Sequence, residues 1–193
     1  MDKDKIVIVG RSNVGKSSLI RALTGTRVKV GKRPGVTLAS RFIPYKADYT
    51  LVDLPGFGFM KGVDKNYQEK VKDFIVEYLE KNEDIALGIE IVNIMAFEDI
   101  AARWEKRGDI PFEIELFNFL TEVGLQPIIA ANKIDKIRSK DRKAVLDNLC
   151  RRLCLGEDWE EHRDTIMPTS AKKGTGIEDL KRLISKRIGL TQY

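Results

Sequence analysis

Short apolar runs alternate along the chain with stretches in which apolar residues recur at helical spacing. The runs at 6–9, 49–52, 85–97, 127–131 and 165–169 predict strands, and the stretches between them mostly predict helices. Strands that alternate with helices favour a mainly parallel sheet that is covered on both faces. Segments 38–45 and 48–53 are too close in sequence for a crossover, so they predict a hairpin and one antiparallel edge. The pattern indicates an α/β fold.

Two predicted helices have clear apolar stripes. The first follows Asp64, a candidate N-cap, and its stripe consists of Val71, Phe74, Ile75, Tyr78 and Leu79. Residues 175–178 match a capping box that would open the last helix. That helix would face the core with Ile177, Leu180, Leu183, Ile184 and Ile188.

The segment 85–119 is the least regular part of the pattern. Run 85–97 is predicted to supply the central strand, although Glu90 and Asn93 interrupt its apolar residues. Residues 101–107 and 112–120 predict two helices. The aromatic residues of this segment are interpreted as core or lid packing rather than a platform for nucleic-acid bases. They are Trp104, Phe112, Phe117 and Phe119.

The most specific motif is GRSNVGKS at 10–17, between the first predicted strand and the first predicted helix. It matches the phosphate-binding loop G-x-x-x-x-G-K-[ST], in which backbone N–H groups and a helix N-terminus bind phosphate oxygens. Lys16 is predicted to reach the β- and γ-phosphates, and the hydroxyl of Ser17 to bind Mg²⁺. The residues predicted to bind nucleotide here are Gly10, Arg11, Ser12, Asn13, Val14, Gly15, Lys16, Ser17 and Ser18.

Two further motifs predict which base is bound. NKID at 132–135 follows a strand, at the sheet edge where α/β proteins bind ligands. The Asp135 carboxylate can accept hydrogen bonds from N1–H and the exocyclic amine of guanine, whereas adenine would leave it unpaired. SAK at 170–172 can place the Ala171 N–H near guanine O6 and the Lys172 stem on the ring. GTP is therefore the predicted ligand, bound by Asn132, Lys133, Asp135, Ser170, Ala171 and Lys172.

A third part of the chain is predicted to sense the γ-phosphate. Asp53 would hold Mg²⁺ through water, and the Gly56 N–H can approach the γ-phosphate because no side chain blocks it. Thr37 is the candidate for a second hydroxyl on Mg²⁺. The predicted nucleotide-binding residues of this part are Gly35, Val36, Thr37, Asp53, Leu54, Pro55 and Gly56. Loss of the γ-phosphate would release Thr37 and Gly56, so the chain is predicted to act as a switch.

The set GRSNVGKSS, RPGVT, DLPGFGF, NKID and TSAK is typical of TRAFAC-class GTPases, and it resembles the EngB (YihA/YsxC) family of the TrmE-Era-EngA-EngB-septin group. The resemblance runs from Lys5 to about Ile188, and RPGVT and DLPGFGF are its narrowing features. It implies a three-layer P-loop NTPase fold of the Ras-like G-domain type, one domain over 1–193, GTP hydrolysis and large-subunit ribosome assembly. The chain departs from the family pattern in the end of strand 85–97, the longer segment 98–119 and NKID in place of TKxD.

Two residues bear on the predicted hydrolysis. Phe57 stands where Ras-like enzymes place a glutamine that orients the attacking water, and a phenyl ring can neither donate to nor accept from that water. A slow intrinsic rate is therefore expected. In related GTPases of this class an Asn at the position of Asn13 helps to bind K⁺, so the resemblance implies K⁺ as a second cation; alternatively, Asn13 only suits the tight loop. The catalytic candidates are Lys16, Thr37, Gly56 and Asn13.

Positive charge is unevenly distributed along the 193 residues, whose formal net charge is +5. The first 47 residues hold eleven lysines or arginines and two aspartates, and further basic stretches lie at 136–152 and 181–187. Such residues often coat solvated helices, but they also suit the phosphates of a structured RNA. Besides GTP and GDP, the predicted partner is ribosomal RNA or a ribosomal subunit. The alternatives are a protein scaffold in cell division or septation without RNA contact, and a signalling GTPase with a dedicated activating protein.

The remaining features bear on location and redox state. No apolar run is long enough to span a bilayer and no signal peptide is apparent, so a cytoplasmic monomer without membrane contact is expected. Cys150 and Cys154 lie four apart on a predicted helix and would share one face. They lack other clustered ligands for zinc and are expected to be reduced.

Overall fold

A six-stranded sheet forms the centre of the protein, whose computed structural model describes residues 4–26, 39–57 and 65–190. The strands are β1 Lys5–Gly10, β2 Arg41–Pro44, β3 Thr50–Asp53, β4 Ile85–Asn93, β5 Ile128–Asn132 and β6 Ile166–Thr169. Their order is β2-β3-β1-β4-β5-β6, and every neighbouring pair is parallel except β2 and β3. The α/β fold and the antiparallel edge hairpin are therefore confirmed.

Helices cover both faces of this sheet. They are α1 Lys16–Thr24, α2 Lys65–Lys81, α3 Phe97–Glu105, α4 Phe112–Glu122, α5 Arg142–Arg152 and α6 Ile177–Arg187. The alternation of β1 sets the two layers: Ile6 and Ile8 pack with α1 and α6, whereas Val7 and Val9 pack with α2 and α4. Helix α5 and Phe97 at the start of α3 cover the strand β5. No helix in the described ranges is long and apolar enough to cross a membrane.

The sequence placed two boundaries wrongly in segment 85–119. The central strand β4 ends at Asn93 instead of 97, and α3 begins at Phe97, four residues before the predicted helix. Glu98 and Asp99 lie in the first turn of α3, where acidic side chains are favoured by the helix dipole. The strand also continues through Glu90, which is fully buried. The interpretation of the aromatic residues as packing is confirmed for Phe112 and Phe117, which are both buried.

The predicted capping box at 175–178 is wrong. Gly176 is the N-cap of α6 with φ 69°, and no side chain caps the helix there. Thr175 instead pairs with Ser170 across an isolated bridge. A Cβ at position 176 would collide with the carbonyl oxygen of Pro168, so this close approach requires glycine. The predicted stripes of α2 and α6 are confirmed by the core, while the candidate cap Asp64 lies outside the described residues.

The two cysteines do not share a helix face. Helix α5 ends at Arg152, so Cys154 lies beyond it, with φ 55° and its side chain exposed. Cys150 lies on α5, and its side chain is buried in the core. Both thiols are free, as predicted, and burial raises the pKa of the Cys150 thiol above its usual value.

Candidate nucleotide-binding site

The loop 10–17 joins the end of β1 to the start of α1. Gly15 is the N-cap of α1 with φ 102°, and no side chain caps the first N–H groups of this helix. A Cβ at position 15 would collide with the side-chain amide of Asn132, so only glycine fits. Uncapped N–H groups at a helix N-terminus are the arrangement that binds phosphate oxygens.

Lys16 at the start of α1 is held by the end of β3. Its ammonium forms an ion pair with Asp53 and donates a hydrogen bond to the carbonyl oxygen of Leu54 at 2.7 Å. The two charged side chains are 13% and 6% exposed, respectively, so the pair is largely removed from water. The structure therefore brings the residue predicted to bind phosphate next to the residue predicted to hold Mg²⁺.

The sequence DLPGF at 53–57 lies directly beside the phosphate loop. The Ser12 N–H donates to the carbonyl oxygen of Phe57 at 2.8 Å, and the Ser12 hydroxyl donates to the carbonyl oxygen of Gly56 at 3.3 Å. A Cβ at position 56 would lie 3.0 Å from the Ser12 hydroxyl oxygen, so a larger residue would push the two loops apart. These contacts place the Gly56 backbone against the phosphate loop.

Asn132 and Lys133 connect the base-recognition motif to the phosphate loop. The Asn132 amide donates to the Val14 carbonyl oxygen at 2.8 Å and accepts from the Ala171 N–H at 3.0 Å. The Lys133 ammonium donates to the carbonyl oxygen of Asn13 at 2.8 Å. Motifs more than 110 residues apart are thus joined at one end of the sheet, as the strand order requires.

Asp135 and Ser170 join the two loops predicted to receive guanine. The Ser170 hydroxyl donates to the Asp135 carboxylate at 2.6 Å. This bond lowers the pKa of Asp135, and the positive charges of Lys136 and Lys173 act in the same direction. The carboxylate is therefore ionised at neutral pH, which is the form that can accept hydrogen bonds from N1–H and the exocyclic amine of guanine.

The other predicted residues divide into three groups. Val14 and Leu54 are buried, so they can contribute to the site only through their backbone. Gly10, Arg11, Ser17, Ser18, Pro55 and Lys172 lie in the same loops and helix start, with Ser18 and Lys172 exposed. Gly35, Val36 and Thr37 lie outside the described residues, so their predicted roles stay predictions.

Asn13 and Phe57 adopt arrangements that bear on hydrolysis. Asn13 is exposed and has φ 68°, a left-handed conformation that Asn tolerates better than most residues. Phe57 is 1% exposed, and its ring centroid lies 4.4 Å from that of Phe112 in an edge-to-face contact. The side chain of Phe57 is therefore part of the core and is unavailable to a water molecule.

Two acidic residues near this site were not predicted to have a role there. Glu113 at the start of α4 forms an ion pair with Arg11 of the phosphate loop, and Glu90 is buried with no hydrogen bond to its carboxyl oxygens within the described residues. The sequence signal for Glu90 was a single acid within the apolar run of β4. A carboxyl group that is buried in such a run needs either a partner of opposite charge or a bound proton, so it marks an unusual site. Nothing in the local pattern identified Glu113, which is 102 residues from Arg11.

Comparisons with known proteins agree with this geometry. A family model described as "50S ribosome-binding GTPase" matches residues 5–133. The chain is 49% identical over 191 residues to a protein of Methanopyrus kandleri named "Probable GTP-binding protein EngB". That alignment covers 98% of this chain and 94% of the relative.

Solved structures give the same result. A crystal structure of a probable GTP-binding protein EngB is 41% identical, has a TM-score of 0.87, and is matched over 97% of this chain and 100% of that chain. The G-domain of FeoB from Methanococcus jannaschii is 28% identical with a TM-score of 0.59, over 98% and 99% of the two chains. The EngB likeness is thus closer in both sequence and shape. With its phosphate loop, base-recognition loops and sheet order, the chain belongs to the EngB family of GTP-binding proteins and is a GTPase of the P-loop fold.

Proposed function

We propose that the protein is a GTP-operated switch that contacts ribosomal RNA of the large subunit during its assembly. The observation that carries this proposal is a group of five exposed cations beside the guanine-recognition loops, here called the basic rim. It consists of Lys136, Arg138, Lys140, Lys172 and Lys173. None of the five forms an ion pair with an acid in the part of the chain that the structure describes. Unpaired surface cations of this kind attract the phosphates of RNA.

Most other cations of the two C-terminal basic stretches are already neutralised within the protein. Arg152 pairs with Glu98 and Glu105 across the gap between α5 and α3. The other internally paired cations of these stretches are Lys143, Arg151, Lys181, Arg182 and Arg187. These residues already have acidic partners within the protein, so RNA contact is best sought at the basic rim.

The family match supports the large subunit as the partner. The matching family model is described as a 50S ribosome-binding GTPase, and its range includes the phosphate loop and part of the base-recognition motif. The basic rim begins directly after that motif, at Lys136. An RNA bound at the rim would therefore lie next to the loops that receive the base, where the nucleotide state can influence it.

The same proposal assigns roles in the phosphate half of the site. In the GTP-bound state Lys16 exchanges its ion pair with Asp53 for the β- and γ-phosphates, and the Gly56 N–H donates to the γ-phosphate. Ser17, Thr37 and, through water, Asp53 would hold Mg²⁺. This set offers hydroxyl and carboxylate oxygens only, the ligand type that Mg²⁺ prefers. Bound Mg²⁺ would neutralise the charge that develops on the phosphates during hydrolysis.

The proposed base contact is made by the carboxylate of Asp135. The proposed K⁺ site is formed by Asn13. A K⁺ ion held by the Asn13 side chain would place positive charge along the phosphates in an enzyme whose Phe57 cannot orient water. GTP turnover is expected to be faster in KCl than in NaCl at equal ionic strength. Equal rates in the two salts would remove K⁺ from the proposal and leave Asn13 as a residue that suits the tight loop.

The ribosomal role is tested by co-sedimentation with separated ribosomal subunits, comparing a non-hydrolysable GTP analogue with GDP. We expect retention on the large subunit with the analogue only, and loss of retention as salt rises. The triple variant Lys136→Ala/Arg138→Ala/Lys140→Ala should weaken retention and reduce the salt slope by roughly one per lost phosphate contact. The matched control Lys143→Ala/Lys181→Ala/Arg182→Ala removes three internally paired cations and should bind like the unchanged protein.

Each result has a defined meaning. Retention of the rim variant with the strength and salt dependence of the unchanged protein would contradict RNA contact at this surface. Absence of retention in both nucleotide states would contradict the ribosomal role and favour a nucleotide-controlled protein scaffold.

We expect the switch to act as a monomer in the cytoplasm, with GTP and GDP as its small-molecule ligands.

A further inference from the structure

Arg11 connects the segment DLPGF at 53–57 to helix α4, the first through its backbone and the second through its side chain. Its backbone lies beside Phe57 in an isolated parallel bridge, and the next residue, Ser12, donates its N–H to the Phe57 carbonyl oxygen at 2.8 Å. Its side chain extends away from this bridge to Glu113 in the first turn of α4, where the Nε donates to the carboxylate. The two side chains of this ion pair are only 12% and 4% exposed.

The guanidinium of Arg11 lies between two aromatic rings, one in the DLPGF segment and one on helix α3. Its central carbon is 5.8 Å from the centroid of the Phe57 ring and 5.5 Å from that of Trp104 on α3. Trp104 is also approached by the ammonium of Lys72 on α2, at 5.5 Å. A cation over an aromatic face is attracted by the electrons of the ring, and the attraction is stronger where water is excluded. Because Arg11 contacts the Trp104 indole in this way, a displacement of Arg11 changes the surroundings of the indole directly.

Glu90 of β4 supplies a third group to this cluster. Its side chain is completely buried, and neither carboxyl oxygen has a hydrogen-bond partner within the described residues. Burial raises the pKa of Glu90 well above its usual range, the charge of Glu113 acts in the same direction, and Arg11 opposes both. Glu90 therefore places a buried carboxyl group, without a hydrogen-bond partner in the described ranges, near the ion pair of Arg11 and Glu113.

The pairing in the cluster is incomplete. Nη2 of Arg11 and Oε2 of Glu113 are buried without a hydrogen-bond partner in the described part of the chain. An arginine and a carboxylate can form two parallel hydrogen bonds, and here only one is formed. A second bond between these two side chains would require Arg11 and Glu113 to shift relative to each other.

We propose that Arg11 is a positioning residue that couples α3 and α4 to the state of the phosphate site. This inference rests on the proposed function, in which the Gly56 N–H binds the γ-phosphate. Because Phe57 follows Gly56 and is bonded to the Arg11–Ser12 backbone, a shift of Gly56 moves Arg11. The ion pair with Glu113 and the contact with Trp104 then carry the shift to the two helices.

Trp104 offers a direct readout, because the chain contains only two tryptophans, Trp104 and Trp159. In the Trp159→Phe variant, emission from Trp104 should differ between the Mg²⁺ complexes of a non-hydrolysable GTP analogue and GDP. The same difference should be absent from the Trp104→Phe variant, which keeps Trp159. Binding of both nucleotides is measured in parallel by calorimetry.

Glu113→Gln in the Trp159→Phe background removes the charge that anchors Arg11. We expect the emission difference between the two complexes to fall by about half or more, while affinity for the GTP analogue relative to GDP changes by about fivefold or more. The matched control is Glu115→Gln, which changes an exposed acid in the same first turn of α4 and should leave both quantities unchanged. Thermal unfolding establishes that each variant is folded.

The outcomes separate this inference from the function on which it rests. If the nucleotides bind but Trp104 emission is the same in both complexes, the coupling is refuted while the nucleotide site stands; this holds even if Glu113→Gln does not fold. If Glu113→Gln folds and behaves like Glu115→Gln, the ion pair is not the coupling element. If neither nucleotide binds, the proposed function fails first.

Discussion

The side-chain amide of Asn132 donates a hydrogen bond to the backbone carbonyl of Val14 at 2.8 Å. The same amide accepts from the Ala171 N–H, and the residue is only 2% exposed. One buried side chain therefore fixes the phosphate loop relative to both loops predicted to receive guanine. Loss of this side chain should weaken the fold and the nucleotide site together.

Asn132→Ala leaves the buried carbonyl of Val14 without a donor and the N–H of Ala171 without an acceptor. An unsatisfied buried polar group costs about 1–3 kcal/mol, so we expect a loss of roughly 2 kcal/mol in the free energy of unfolding. Affinity for GDP should also fall by about tenfold or more, because the loops are no longer held in register. Urea unfolding and nucleotide titration measure the two effects. Asn118→Ala on the exposed face of α4 is the control, and equal behaviour of the two variants would contradict the prediction.

Asp135→Asn tests the proposed base contact by reversing the direction of one hydrogen bond. The asparagine amide is a donor, so it opposes the exocyclic amine of guanine but suits the carbonyl that xanthine carries at the same position. We expect GTP affinity to fall by about 10³-fold or more and xanthosine triphosphate to become the preferred ligand. Competition binding measures this preference. An unchanged preference for GTP would refute the assignment of Asp135, and Asp109→Asn, an exposed change on the α3–α4 loop, serves as the control.

Lys16 and Asp53 should be energetically coupled in the nucleotide-free protein. Removing either partner leaves the other charge poorly hydrated, because both side chains are largely buried. The double variant Lys16→Met/Asp53→Asn should therefore lose less stability than the sum of its single variants, with a coupling of about 1–3 kcal/mol. Urea unfolding without nucleotide and without free Mg²⁺ measures this cycle. The exposed pair of Lys81 and Glu77 provides the comparison and should show no measurable coupling; additive effects at Lys16 and Asp53 would mean that their ion pair does not form in solution.

The features that were predictable from the sequence are those in which chemistry or geometry fixes the spacing locally. The phosphate loop requires glycine where the backbone turns and lysine at the helix start, so Gly15 and Lys16 identified it from a few residues. The antiparallel hairpin followed from the short connection between β2 and β3. The meeting of Asn132 with the phosphate loop followed from the rule that parallel strands present their carboxyl ends at one edge.

The features that were missed depend on contacts that no local pattern contains. Thr175 and Glu178 have the spacing of a capping box, but a bridge between Ser170 and Thr175 draws the chain so close to β6 that Gly176 must be the cap. The ion pair between Arg11 and Glu113 joins a loop and a helix that meet only after the sheet has formed. Glu113 also suits the first turn of α4, so its sequence position already has a sufficient local explanation.

Glu90 should make the stability of the protein depend on pH in a direction opposite to that of an ion-paired acid. Its pKa is raised by burial and by Glu113, whereas the unfolded chain releases this proton at about pH 4.3. Above that pH the folded state binds the extra proton, so the contribution of Glu90 to stability falls as pH rises. Glu90→Gln is neutral throughout and nearly isosteric. Its free energy of unfolding, relative to the unchanged protein, should therefore increase from about pH 4.5 to about pH 8, as measured by urea unfolding at several pH values. Glu115→Gln should show no such increase, and a difference that is constant with pH would show that Glu90 is ionised in the folded protein.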